Sequence, residues 1–225
     1  MVQTTGAGQV PEVATQWAVF DGKNGSTEIL WNQYYFGEWY YGEDVGGYWH
    51  PVVADLDHNG AWEIIQEDSV YAADGTPLWD APPFPYEPLY LTSAILDIQG
   101  DENAEVVMVN GIFVSLFAHD GTLLNEFPGL SDDEQEKGMQ PTIADFDGDG
   151  DVEIVIPMRY EVVMMEGDGT EIWRTSARYD NSSASGCAAF DFDLDGAYEL
   201  VCADERDLRL YDGRTGATLF EWSDH

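Results

Sequence analysis

An acidic segment that recurs every 42 to 48 residues, a D-G turn that closes each repeat, and short apolar runs that leave no room for a long helix predict an all-β chain: a β-propeller of four-stranded blades. The four acidic segments are PVVADLDHNGAWEII (51–65), SAILDIQGDENAEVVMV (93–109), PTIADFDGDGDVEIVI (141–156) and CAAFDFDLDGAYELV (187–201), and their first acids are Asp55, Asp97, Asp145 and Asp191. Each unit ends alike, in YAADGTPLWD (71–80), LFAHDGTLLNEF (116–127), MMEGDGTEIWRT (164–175) and LYDGRTGATLFEW (210–222). Apolar residues on either side of D-G mark a tight hairpin, because glycine supplies the positive φ the turn needs. Each repeat therefore reads as strands A, B, C and D, with the acidic loop joining A to B and the D-G turn joining C to D.

The repeats lie near 51–80, 93–127, 141–175 and 187–222, inside a blade region at 17–225 that follows an N-terminal extension at 1–16. Residues 17–31 (WAVFDGKNGSTEILW) match only a C–D hairpin. The expected architecture is thus four full blades plus an N-terminal half blade. Such an arrangement leaves bare strand edges, which soluble proteins avoid, so a longer propeller, or one completed by another chain, is expected.

Composition narrows the partners. With 44% apolar residues and 13% aromatics the chain can bury a core, and its formal charge of -36, from 44 acids against 8 bases, argues against nucleic acid, whose phosphates require Lys and Arg. Self-repulsion on this scale calls for a neutralising cation. No apolar run approaches the ~20 residues of a membrane-spanning helix, so no membrane insertion is expected. Residues 1–11 lack the basic and apolar regions of an export signal, so an exported protein would carry its leader elsewhere.

The acidic loops follow D-x-D-x-D-G-x-x-E. Alternate side chains converge on one point, glycine allows the sharp turn, and the last carboxylate closes the shell, as suits a calcium ion with six to eight oxygens. The third repeat offers Asp145, Asp147, Asp149, the backbone oxygen of Asp151, and Glu153. The fourth offers Asp191, Asp193, Asp195, the Ala197 carbonyl and Glu199, also a full match. The first has Asp55, Asp57, Asn59, the Ala61 carbonyl and Glu63, the amide adding no charge. The second has Asp97, Gln99, Asp101, the Asn103 carbonyl and Glu105, with Glu102 where glycine belongs, and should be the weakest of up to four Ca2+ sites. Asp and Gly also favour plain solvated turns, but four such loops in register weigh against that reading.

Pattern and period resemble the calcium-binding FG-GAP (VCBS-like) repeats of integrin-α propellers and bacterial surface proteins, across roughly residues 17–225. The resemblance implies a propeller, usually seven-bladed, with calcium loops between the first two strands of a blade. The literal FG and GAP tripeptides are replaced by segments such as VVAD and TIAD, which favours a bacterial or archaeal surface protein over close kinship with integrins.

Cys187 and Cys202 flank the fourth acidic loop and are either bridged or two buried thiols. The aromatic stretch 31–50 either packs the propeller edge or forms a sugar platform. Trp79, Trp173 and Trp222 recur at blade ends and read as core, and 128–140 reads as an exposed insertion. His50, His58, His119 and His225 fall into no catalytic or metal spacing, so no enzyme is expected. The function expected is a calcium-stabilised extracellular or cell-surface propeller for adhesion, assembly or scaffolding, through a protein partner or self-association, including head-to-tail strand exchange. The alternative is a glycan-binding lectin or polysaccharide-lyase-like protein.

Overall fold

The central strands of the first three repeats carry apolar residues at successive positions rather than alternate ones, as in EIIQ, EVVMVN and EIVIP. A strand reads this way when both faces are covered, so the sheets must pack against one another. A computed structural model shows that arrangement. It describes residues 51–82, 91–98, 100–127, 130–131, 138–177, 186–203 and 207–223, with the strand backbone of 2–3, 11–14, 18–20 and 29–32.

A front sheet holds β1 (Val2–Gln3), β2 (Pro11–Ala14), β3 (Ala18–Phe20) and β4 (Ile29–Asn32). The first blade holds β5 (Val52–Ala54), β6 (Glu63–Gln66), β7 (Ser69–Ala72) and β8 (Pro77–Asp80). The second holds β9 (Leu91–Leu96), β10 (Glu105–Asn110), β11 (Phe113–Phe117) and β12 (Leu123–Phe127). The third holds β13 (Thr142–Ala144), β14 (Glu153–Pro157), β15 (Glu161–Met165) and β16 (Glu171–Ser176). The fourth holds β17 (Gly186–Phe190), β18 (Glu199–Ala203), β19 (Asp207–Tyr211) and β20 (Thr218–Ser223). Every sheet is an antiparallel meander in chain order, and no helix occurs among the described residues.

The four expected blades are all present, and the front hairpin goes further than expected. β1 and β2, drawn from residues read as an extension, pair with it in the order β1-β2-β3-β4, so the front unit is a four-stranded sheet and not a half blade. The strand-exchange expectation rested on that orphan hairpin and loses its ground.

Neighbouring blades share three apolar layers. Val106 and Met108 of β10 face the first blade with Ile65, Val70 and Phe117, while Val107 and Val109 of the same strand face Ile154, Ile156 and Val163 of the third. Between third and fourth blades lie Phe146, Val155, Met164, Trp173, Leu200 and Tyr211. Each such fully buried side chain contributes ~1.5–3 kcal/mol, so most of the stability sits between sheets. The first strand of one blade is also tied to the next blade: Thr92 Oγ1 donates to the Met139 carbonyl, just ahead of β13, and Thr142 Oγ1 to the Cys187 carbonyl of β17, both at 3.1 Å.

A second, outer tie recurs. In every sheet a one-residue shift follows the D-G turn and sets Trp31, Trp79, Asn125, Trp173 and Phe220 opposite Val19, Val70, Leu116, Met164 and Leu210. From this position Trp79 Nε1 donates to the His119 carbonyl (2.9 Å), Asn125 Nδ2 to the Asp168 carbonyl (3.1 Å) and Trp173 Nε1 to the Gly213 carbonyl (2.6 Å). Each acceptor belongs to the next blade's turn. Gly121 and Gly216 of those turns have φ of +85° and +68°, and a Cβ on either would stand 2.7 Å from the tryptophan ring, so glycine is required twice over.

This register corrects the sequence reading of Trp222. It lies two residues beyond the shared position, which Phe220 occupies, and both are half exposed rather than core. The described ends of 128–140 are corrected too: Leu130 and Met139 are buried between blades. The aromatic stretch 31–50 lies outside the described residues apart from the backbone of Trp31 and Asn32.

Candidate metal centre

The acidic loops are wound by their own carboxylates. At the third ligand position Asn59, Asp101, Asp149 and Asp195 each accept the N–H two residues on, from Ala61, Asn103, Asp151 and Ala197, at 2.7–3.0 Å. Asp57 and Asp147 accept in the same way from Asn59 (3.2 Å) and Asp149 (3.0 Å). At the first position Asp55, Asp145 and Asp191 reach forward to the N–H of Gly60, Gly150 and Gly196 at 2.9–3.1 Å. Such side-chain-to-backbone turns compete with regular structure and favour a loop.

The closing glutamate does two jobs, one of which the sequence pattern does not reveal. In all four loops one of its oxygens accepts the N–H of the residue after the first Asp: Leu56 to Glu63, Ile98 to Glu105, Phe146 to Glu153 and Phe192 to Glu199, at 2.6–2.8 Å. The glutamate thus clasps the loop from the head of strand B.

Carboxylate oxygens come together unequally. Asp145, Asp147, Asp149 and Glu153 place four within 4.8 Å of one another; Asp55, Asp57 and Glu63 place three, as do Asp191, Asp193 and Asp195. Asp97, Asp101 and Glu105 form no such group among the described residues, and Gln99 lies outside them. The fourth-loop group consists of its three aspartates and does not include Glu199. In the first loop Asn59 is engaged internally, its amide nitrogen donating to Asp57 at 2.8 Å.

All four closing glutamates are buried, and the third loop stands out by a glutamate oxygen left without a donor inside a group of four carboxylates. Glu153 is fully buried, one oxygen is bonded to Phe146 and Asp147 N–H, and Oε1 has no hydrogen-bond partner. Burial first, then the charges of Asp147 and Glu166, push its carboxyl up to about 7. Burial likewise raises Glu63, with Asp57 and Asp55 adding to it, and Asp55 Oδ1 is a second buried oxygen without a partner. Glu166 was missed by the sequence reading. It opens the third D-G turn, where the first and second repeats have Ala72 and Ala118, and its carboxyl is raised by burial and by Asp147, Asp149, Asp168 and Asp151. A column-by-column comparison of the turns would have found it.

Backbone shape separates the loops further. The sixth position is left-handed in all four, at Gly60, Glu102, Gly150 and Gly196, and so is the fourth, at His58, Gly100, Gly148 and Leu194. Outside glycine this conformation costs about 1 kcal/mol. The third loop alone has glycine at both.

An all-oxygen, multiply charged group containing a buried oxygen without a donor fits a hard cation such as calcium. The structure fixes the N–H groups of Ala61, Asn103, Asp151 and Ala197; their carbonyls remain candidate ligands by resemblance.

No family model and no curated protein matches this sequence. Solved structures do match. The biofilm matrix protein Bap1 of V. cholerae aligns at TM-score 0.65 and 12% identity over 95% of this chain and 59% of its own. BamB from Moraxella catarrhalis aligns at 0.53 and 10% over 96% and 61%, and the exotype rhamnogalacturonan lyase YesX at 0.55 and 16% over 76% and 40%. The chain thus spans less than two thirds of each. All three are propeller-type folds, and at these identities the likeness shows the fold alone. This chain has a propeller-type fold. Three of its acidic loops gather carboxylates able to hold a metal ion.

Proposed function

We propose that the chain is a calcium-stabilised propeller of the FG-GAP/VCBS kind, working outside the cell as an adhesion, assembly or scaffolding element through protein contacts. The observation that carries this reading is the third loop, where a fully buried Glu153 oxygen without a donor meets three aspartates. Calcium supplies the missing positive charge there; Asp145, Asp147, Asp149 and Glu153 hold it, and Glu153 carries its effect into strand B. The Cys187–Cys202 disulfide and the matrix role in Bap1's name support an extracytoplasmic setting.

Calcium titration of chelator-stripped protein tests it. Saturable binding that raises the melting temperature, with one event lost in Asp145→Ala, is expected, and an unchanged melt in excess EGTA would remove the mechanism.

Polysaccharide binding is the second reading. It is favoured by the exposed ring pair of the fourth blade, Phe190 and Phe192, with centroids 5.0 Å apart. Glycan-array binding lost in Phe192→Ala would favour it.

A further inference from the structure

The fourth acidic loop already contains a cation. Arg214, in the turn between β19 and β20, places Nη1 2.6 Å from Asp195 Oδ2 and Nε 3.0 Å from the Asp147 carbonyl of the third loop. Asp195 occupies the third ligand position of its own loop, and its carboxyl is held below the usual range by the Arg214 hydrogen bond first. No other loop has this arrangement among the described residues. The equivalent turns read ADGT, AHDGT and EGDGT, with no basic side chain but His119.

Two further bonds hold the fourth loop. The Cys187–Cys202 disulfide joins the strands at its base, and the Tyr198 N–H donates to the Asp145 carbonyl at 3.1 Å. Base, flank and tip are thus all fixed by protein groups. The third loop has its backbone pinned from outside by Arg214 and Tyr198, but its own carboxylates stay clustered without a basic side chain among them.

We propose that Arg214 is a built-in counter-cation: by pairing with the Asp195 carboxylate it lowers the fourth loop's affinity for calcium below that of the third loop, of which it touches only a backbone carbonyl. The proposal rests on the third loop being a calcium site. Calcium entering the fourth loop must take Asp195 from a guanidinium and then sit beside its positive charge. Both partners are nearly half exposed, so the bridge itself is weak and displaceable. The repulsion between a unit charge and a divalent ion a few ångströms apart in water corresponds to about tenfold or more in affinity.

Isothermal calorimetry with calcium and the full chain decides it. The wild type should show a tight event abolished by Asp145→Ala, with the fourth-loop event at least tenfold weaker. Arg214→Ala should tighten the weak event about tenfold, and Asp191→Ala in that background should abolish the gain. Arg214→Gln, which keeps hydrogen bonding without charge, should behave as Arg214→Ala even where the alanine variant folds poorly, and Arg214→Lys should titrate as wild type. The proposal is overturned if both neutral variants titrate as wild type, if the gain survives Asp191→Ala, or if the wild-type fourth loop already binds as tightly as the third. Loss of all binding in every protein would overturn the calcium reading as well. A tight event insensitive to Asp145→Ala, alongside a gain from Arg214→Ala, would fault only the assignment of the third loop.

Discussion

The third and fourth repeats carry nearly the same nine-residue pattern, DFDGDGDVE and DFDLDGAYE, yet they become different objects. The third blade is covered on both faces, its glutamate is fully buried, and four carboxylates converge. Among the described residues the fourth has one uncovered face, with Phe190, Phe220 and Trp222 more than half exposed, and gathers three carboxylates beside an arginine and a disulfide. The motif winds the loop and buries its closing acid in both; what differs is the number of carboxylates gathered and the company they keep. One repeat gathers four carboxylates able to hold an ion, and the other ties part of its loop with its own bonds.

The largest expected effect separates them by chelation. Excess EGTA should remove ~2.7 kcal/mol for each site that calcium otherwise fills at a hundredfold excess over its Kd, lowering the melting temperature by roughly 5–10 °C per site in a domain of this size. In calorimetric scans Asp145→Ala should abolish most of that sensitivity and Asp191→Ala little of it. Equal effects would erase the contrast.

Cys187→Ser with Cys202→Ser comes next. The bridge closes a loop of 15 residues, for which chain entropy gives about 3 kcal/mol. Hydrogen exchange should rise in β17–β20 and remain near wild type in β13–β16. The double variant should also make the fourth loop newly responsive to calcium.

A pH effect should follow the buried glutamate. In chelator the Glu153 pKa of about 7 exceeds its ordinary value of 4.5, so protonation favours the folded state. That contribution is complete below the ordinary value and is lost as pH rises through about 7. Between pH 5 and 8 the chelated wild type should lose ~2 kcal/mol that Glu153→Gln retains, read from denaturant melts.

Smaller still, Trp173→Phe should cost about 1 kcal/mol, because the Gly213 carbonyl loses its donor, whereas Phe220→Ser on the exposed side should shift stability by less than about 0.5 kcal/mol. Leu194→Gly should stabilise the fourth loop by up to about 1 kcal/mol by relieving a left-handed leucine at φ 61°.

Strand order, loop placement and the D-G turns were legible because each depends on local chemistry: glycine at positive φ, alternating acids, continuous apolar runs. The front unit was only half legible, since Val2–Gln3 and Pro11–Ala14 carry no acidic loop to align on. Trp222 misled because a tryptophan is conspicuous by type, while register depends on the bulge after the turn, which advances the shared position to Phe220. The inequality of the third and fourth loops was invisible for a different reason. Arg214 lies 19 residues beyond Asp195 in sequence.

The recurring outer tie gives the chain a polarity. Among the described residues the first three blades each present a side-chain donor, from Trp79, Asn125 and Trp173, to a turn carbonyl of the blade that follows, whereas the fourth has Phe220 in that place. Units that carry the donor can be duplicated or deleted without creating a mismatched junction, while a blade with phenylalanine there cannot make the same tie.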